Sequence, residues 1–311
     1  MIYRTYDEFE AYAEAIEDVD MRWLKCRPDK PRWSICHLQP GPLHLQRCFD
    51  GSGNIAEGAV RQDGWVFLLT MAGQWDLANG QDFNSESVFV SPPGAEFCVT
   101  SHRARDWVTV FVPTDVLFPS PDEISSGLLV ADRVVRPSQS LLRQLRKTIV
   151  SYMAAADANP SIAVKPKVAS QFTEDICCLF QEMLETTEAG KNFSRRFMRL
   201  RCLTSLATEW LEGSPNMSPK IAELAHDLDV SERTLRNAFA DYCDMSPHKY
   251  LTLIRLNHAR RLLRENGPTE ITVGAVATEL GFWEFGRFAG KYRQVFGELP
   301  SETLRRKRSS D

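Results

Sequence analysis

The last third of this 311-residue chain repeats itself, and no other feature constrains the fold as strongly. IAELAHDLDVSERTLRNAFADYCDMSPHKYL at 221–251 is echoed by VGAVATELGFWEFGRFAGKYRQVFGELPSETL at 273–304. Ala225 matches Ala277, Leu228 matches Leu280 and Val230 matches Phe282, each 52 residues on. Leu235 then matches Phe288, Phe239 matches Tyr292 and Pro247 matches Pro300 at 53, so the second unit carries one inserted residue.

Each unit reads as helix, tight turn, helix. In the first, Ile221, Leu224, Ala225 and Leu228 make an apolar face, Asp229 breaks the helix and Val230 fills the corner. Ser231 is placed to cap the next helix, with Glu232 at its positive dipole end. Leu235, Ala238, Phe239 and Tyr242 face inward, leaving Arg233, Arg236 and Asn237 outward. A helix-turn-helix presents its second helix to the DNA major groove in this way. Arg pairs with guanine and Asn with adenine, so these side chains suit base readout. A plain αα-hairpin with surface arginines fits one unit equally well; two units in tandem favour DNA.

Between the units, HKYLTLIRLNHARRLLREN (248–266) supplies Tyr250, Leu251, Ile254, Leu256, Leu262 and Leu263 for burial before Gly267-Pro268 stops it. Some 19 residues of helix span about 28 Å at 1.5 Å each. Successive major-groove faces lie about 34 Å apart, so one rigid helix can hold two reading heads close to a DNA turn apart. Charge agrees. The whole chain is −4, yet residues 195–311 hold 19 Lys+Arg against 15 Asp+Glu, leaving 18 against 26 elsewhere. A basic third on an acidic body suggests a nucleic-acid module on a carrier, although a solvated surface with chance clustering gives the same count.

The rest reads differently. Residues 1–25 are expected to form one helix, with Phe9, Tyr12, Ile16 and Val19 on one face. From 32 to 113, short alternating runs such as WSICHL, LHLQRCF, WVFLLTM, SVFVS and WVTVFVP are cut by turn residues. About eight strands so spaced suggest a β-sandwich or barrel. Pro119–Pro121 marks the exit. Leu141, Leu145, Ile149 and Tyr152 or Met153, then Val168, Phe172, Ile176, Leu179 and Met183, give a helical hairpin that packs on the barrel or on a second subunit. GKNFS at 190–194 is read as a linker. No apolar run approaches the ~18 residues of a membrane span. The N-terminus MIYRTYDEFEAY is acidic rather than a secretory signal. The eight cysteines lack any C-x-x-C pair and read as reduced thiols of a cytoplasmic protein.

The repeated third resembles the DNA-binding domain of the AraC/XylS family of transcription regulators. The residues that carry the resemblance are IAELA…L.VS.RTL...F, SPHKYL...RL.HARRLL and V.AVA.ELGF....RFA..YR..FGELPSETL. GFWEFGRFAGKYRQVF is most similar to the subgroup of the ethanolamine-operon regulator, and LQPGPLHLQRC with PPGAEF resembles that subgroup's cupin-like sensor. The resemblance implies an α+β chain: a cupin-like β-barrel sensor at 1–137, a helical hairpin with linker at 138–193, and two helix-turn-helix units joined by a long helix at 194–311. It implies a sequence-specific regulator, an activator answering to a small-molecule effector of unknown identity. Its partners would be double-stranded DNA, RNA polymerase and a second copy as homodimer, with no membrane and no cofactor. DNA-contacting positions fall on Arg233, Arg236, Asn237, Glu284, Arg287 and Lys291, with Phe285, Gly286 and Gly290 at or beside them. Lys291, Arg293, Arg305, Arg306, Lys307 and Arg308 are phosphate candidates, the last four equally a solvated tail.

The second unit departs from the family pattern. Trp283 stands where Ser or Asp would cap, and Gly286 and Gly290 each cost about 1 kcal/mol of helix stability relative to Ala. The first unit is therefore expected to dominate base readout, with the second reading shape, thymine methyls or phosphates. Two other functions were weighed. A cupin-type metal enzyme needs clustered ligands. The near-cluster is Cys36, His37, His44 and Cys48, which strand alternation should split between faces, so no metal site and no catalytic residue is expected. A sensor that binds a partner protein instead of a metabolite is the other. Trp65, Phe67, Trp75, Phe89, Phe97, Trp107 and Phe111 lie on strands and are expected mainly in the core.

Overall fold

The computed structural model describes residues 3–28, 32–71, 76–120, 133–163, 165–186, 206 and 221–306. The expected linker at 190–194, Trp75, residues 207–220, Lys307 and Arg308 lie outside the described residues. The chain divides into two compact units, one of residues 1–23, 31–51 and 56–194, the other of residues 24–30, 52–55 and 195–311.

The strands are β1 (Arg4–Tyr6), β2 (Val19–Lys25), β3 (Trp33–Leu38), β4 (His44–Asp50), β5 (Asn54–Val60), β6 (Gly64–Thr70), β7 (Asp76–Ala78), β8 (Gln81–Phe83), β9 (Val88–Ser91), β10 (Glu96–Thr100), β11 (Arg105–Pro113) and β12 (Arg133–Val135). They make two sheets, ordered β1-β3-β4-β11-β6-β9-β12 and β2-β5-β10-β7-β8. Both sheets have free ends among the described residues, so the expected cupin-like barrel is not closed. The architecture is the sandwich alternative. Strand β6 explains the layering. Its run GWVFLLT is buried throughout, as expected of a strand covered on both faces. Val66 and Leu68 join Trp33, Phe89, Phe97 and Trp107 in one core. Trp65, Phe67 and Leu69 face a second core with the hairpin helices. The expectation for Trp65 and Phe67 thus holds with a refinement: they belong to the core under the helices.

Those helices are α3 (Gln139–Ala158) and α5 (Pro166–Thr186); α1 (Phe9–Glu14), α2 (Thr114–Leu117) and α4 (Pro160–Ala163) are short. Leu145, Ile149, Phe172, Ile176 and Met183 are buried against the seven-stranded sheet, and Phe180 stacks on Phe67 at 3.6 Å between centroids. The hairpin therefore covers a sheet face.

The single helix expected over 1–25 is wrong. Only α1 is helical; β1 precedes it, pairing with β3, and β2 follows. Phe9, Tyr12 and Ile16 are buried as the helical spacing demands. Asp18 then turns the chain with φ 70°, and Val19, Met21 and Trp23 continue at the two-residue period of a strand. Val19 satisfied both periods, which is why the helix ran on too far. Tyr12 donates to Asp50, which also accepts from Trp107 (2.9 Å) and from Arg105 (2.7 Å). Burial pushes the Tyr12 hydroxyl well above its usual pKa, and Asp50 adds to that. The seven described cysteines are free thiols. No described helix is long and apolar enough to cross a membrane.

Candidate nucleic-acid interface

The second unit contains α6 (Ile221–Asp227), α7 (Glu232–Cys243), α8 (Pro247–Glu265), α9 (Val273–Glu279), α10 (Phe285–Phe296) and α11 (Pro300–Arg305). The repeat in the sequence becomes a repeat in geometry. Val230 N–H donates to the Ala225 carbonyl at 2.9 Å, and Phe282 N–H donates to the Ala277 carbonyl at 2.8 Å, closing equivalent corners 52 residues apart. Asp229 (φ 51°) and Gly281 (φ 73°) make the matching left-handed turns. The second helix of each pair begins 53 residues apart, at Glu232 and Phe285. The inserted residue therefore sits in the turn, beside Trp283. Leu235, Ala238, Phe239 and Tyr242 are buried, as are Phe288, Tyr292 and Phe296.

Capping distinguishes the two heads. The Ser231 hydroxyl accepts from Thr234 N–H at 3.1 Å and secures the start of α7. Glu284 holds the N-cap position of α10 with no side-chain cap bond. The residues expected to meet DNA are exposed: Arg233, Arg236 and Asn237 on α7, Glu284 before α10, and Arg287 upon it; Lys291 is half-buried. Arg236 donates to Glu232 at 2.6 Å and Arg287 donates to Glu284 at 2.9 Å. Each central arginine is thus paired with an acid one helical turn earlier. Such exposed pairs contribute about 0.3–0.5 kcal/mol and break easily.

Trp283, Phe285, Gly286 and Gly290, singled out in the sequence, form two surface features of the second head. Trp283 and Phe285 are large apolar side chains that are 69% and 53% exposed. A Cβ added at Gly286 or Gly290 would meet nothing within 4 Å. The folded chain supplies no packing reason for either glycine. A helix surface stripped to backbone beside two exposed rings suits close approach by another body. Partial burial, and then the charges of Lys291 and Arg255, lower the pKa of His248 at the start of α8.

Helix α8 holds the heads. Its 19 residues match the expected 248–266 closely, with the Ser246 hydroxyl accepting from Lys249 N–H at 3.3 Å and Pro247 in the first turn. Tyr250, Leu251, Ile254, Leu256 and Leu263 are buried; Leu262 is half-buried. Below it lies a polar cluster that sequence reading did not find. Arg260 (side chain 6% exposed) donates to Glu298 at 2.6 Å and lies 4.8 Å from the Phe296 ring centroid. Thr303 donates to the same Glu298 oxygen at 2.8 Å and accepts from the Tyr292 hydroxyl at 2.9 Å.

Two capped or cornered helix pairs on a shared rod, with cationic readers outward, define a helix-turn-helix DNA-binding regulator. Residues 224–306 match a helix-turn-helix domain family. Over 258 residues the chain is 31% identical to XylDLEGF operon transcriptional activator 3 of Pseudomonas putida, covering 71% of this chain and 77% of that protein. It is 31% identical over 153 residues to the probable thc operon regulatory protein of Rhodococcus erythropolis, covering 48% of this chain and 45% of that protein. Among solved structures it is similar to the AraC-like transcriptional activator CuxR, with 15% identity, TM-score 0.45, and 89% and 99% of the two chains covered. The chain belongs to the AraC/XylS family of transcription regulators. Its relatives are regulators of transcription, and it is not an enzyme.

Proposed function

We propose that this protein is a cytoplasmic transcription activator whose two helix-turn-helix heads read adjacent major grooves and whose β-sandwich senses a small molecule. The observation that carries the DNA reading is the pair of exposed faces, α7 with Arg233, Arg236 and Asn237 and α10 with Arg287, joined in the chain through α8. By family resemblance the activator contacts RNA polymerase and works as a homodimer, and the sequence 281–296 resembles that of the ethanolamine-operon regulator subgroup. Site selection from random duplexes should return two short blocks about 10 bp apart. The block under α7 should be sharper, because its helix is capped and offers more polar readers. Arg236→Ala should cost about 1–3 kcal/mol and relax one or two positions. A single block, or an unchanged preference in Arg236→Ala, sinks this geometry.

The sensor reading rests on a cavity of about 50 Å³ between the two sheets, lined by Trp23, Val66, Leu68, Phe97 and Trp107 among others. Three buried polar atoms of its lining, Trp23 Nε1, Ser91 Oγ and Thr109 Oγ1, have no hydrogen-bond partner among the described residues. Unpaired buried polar groups are costly, and a ligand with one or two hydrogen-bonding groups would satisfy them. The cavity admits only a few water-sized groups, so an effector of ordinary size requires the sheets to part. With Trp23 and Trp107 in the wall, a metabolite that enters should change tryptophan emission, and Thr109→Val should weaken that response. A sensor that answers only to a protein partner would show no metabolite-dependent change.

A further inference from the structure

Strand alternation is expected to split the near-cluster Cys36, His37, His44 and Cys48 between faces. The register splits them in part. Strands β3 and β4 pair His37 with Gln46 and Cys36 with Arg47, so Cys36 points to the opposite face. His44 lies two residues along β4 from Gln46, on the face of His37. The two imidazoles stack at 5.3 Å, with His37 Nδ1 3.2 Å from His44 Nε2. A third donor comes from the segment misread as helix. Glu17, in the turn after α1, sets one carboxylate oxygen 3.5 Å from His44 Nε2 and the other 3.9 Å from His37 Nδ1. Among the described residues these three alone form such a donor group.

We propose that Glu17, His37 and His44 bind a divalent transition-metal cation of the zinc class, a site independent of the DNA-binding reading. The distances fit. Tetrahedral bonds of 2.0–2.1 Å set donors about 3.3 Å apart; the two imidazole nitrogens lie 3.2 Å apart, one Glu17 oxygen lies 3.5 Å from His44 and the other 3.9 Å from His37, so a small side-chain adjustment brings one donor atom from each residue around an ion. The donor set is two imidazoles and one carboxylate without thiolate, which suits a borderline cation such as Zn²⁺ and leaves one position for water.

The outer shell is also built. His44 Nδ1 lies 2.5 Å from an Asp18 oxygen, the carboxylate–histidine arrangement that fixes the tautomer and aims the other nitrogen at a metal. Asp18 is buried and holds a left-handed backbone conformation, φ 70°, that non-glycine residues seldom adopt. It also accepts from Gln46 at 3.0 Å and Arg61 at 3.3 Å, while Gln46 clasps the Glu17 backbone through both amide atoms, at 2.9 and 3.0 Å. The ligands are therefore held by packed neighbours, and only Glu17 has its side chain largely exposed. Glu17, Asp18 and Gln46 also line the cavity between the sheets. An ion here would fasten the α1–β2 turn to the edge of β3 and β4, and so set how readily the cavity opens.

The test uses the full chain, stripped with EDTA and titrated with Zn²⁺ against a chromogenic chelator. One tight equivalent is expected, with a Zn²⁺-dependent rise in thermal midpoint. His37→Ala and His44→Ala should each abolish that equivalent, and Asp18→Asn should weaken it about 10–100-fold. Co²⁺ distinguishes the site from the cysteines without any variant: nitrogen and oxygen ligation gives d–d bands and no thiolate charge-transfer band. A thiolate band, no tight equivalent in the stripped protein, or unchanged stoichiometry in a folded His37→Ala variant overturns the proposal.

Discussion

DNA affinity of the full chain is expected to fall by about 10³-fold or more between 50 and 200 mM salt, despite a net charge of −4. The reason is local. Arg233, Arg236, Lys249, Arg287, Arg293, Arg305 and Arg306 are all exposed in the second unit. If six or more cations neutralise phosphates, the released counterions set a log–log slope of about −0.9 per contact. The acidic unit contributes to long-range repulsion, which salt screens over about 10 Å at 0.1 M and which therefore opposes the slope only weakly. Fluorescence anisotropy on a selected duplex over a salt series measures it. A flat dependence would mean that the arginines face no phosphate, and the orientation proposed for α7 and α10 would be wrong.

Glu298→Ala is expected to destabilise the second unit by about 3–5 kcal/mol. The carboxylate is the buried counter-charge of Arg260, and its removal leaves that guanidinium without its counter-charge. Thr303 loses an acceptor at the same time, and Arg306, 3.0 Å from the other oxygen, loses an ion pair. Urea unfolding followed by circular dichroism supplies the measurement. Arg260→Met in the same background should recover much of the loss, since replacing both partners by apolar groups is often nearly neutral. A cost below about 1 kcal/mol for the single variant would show that water reaches Arg260, contrary to its burial. Because Arg260 lies on α8 while Glu298 and Thr303 belong to the end of the second head, this cluster fixes that head to the rod. Glu298→Ala should therefore blur the distal block of the operator more than the proximal one.

How much of this was legible before the structure depended on whether the signal was local. Caps and corners are local: Ser231, Asp229 and Val230 identified themselves, and the 52-to-53 offset placed one inserted residue within the second unit. Burial periods were legible wherever one period dominated, as in α3 and α5. They failed at Val19, whose position satisfies both a helix begun at Phe9 and a strand that runs to Lys25. Open sheet edges are set by which strands pair, so the closed barrel was not a local question. Pairing register is equally non-local. That His37 faces Gln46, and so shares a face with His44, follows from the β3–β4 ladder and not from either residue's neighbours. Glu17 was hidden twice, by the misassigned helix and by its distance in sequence. The Arg260–Glu298 pair, 38 residues apart, was out of reach for the same reason.

The pairing of Arg236 with Glu232 and of Arg287 with Glu284 bears on how the protein searches a genome. An arginine already satisfied by an internal anion gains little from one more phosphate, since both offer the same charge. It gains from a guanine edge, where two acceptors meet its planar fork. On the proposed reading each glutamate is a resident competitor, set against the commonest anion on the duplex and displaced by the correct base. These exposed pairs are worth only a few tenths of a kcal/mol, so along random sequence they bias Arg236 and Arg287 against phosphate contact without preventing it. Discrimination then comes from subtraction: the glutamates lower the reward for every wrong site, so the few right ones stand out at modest overall affinity.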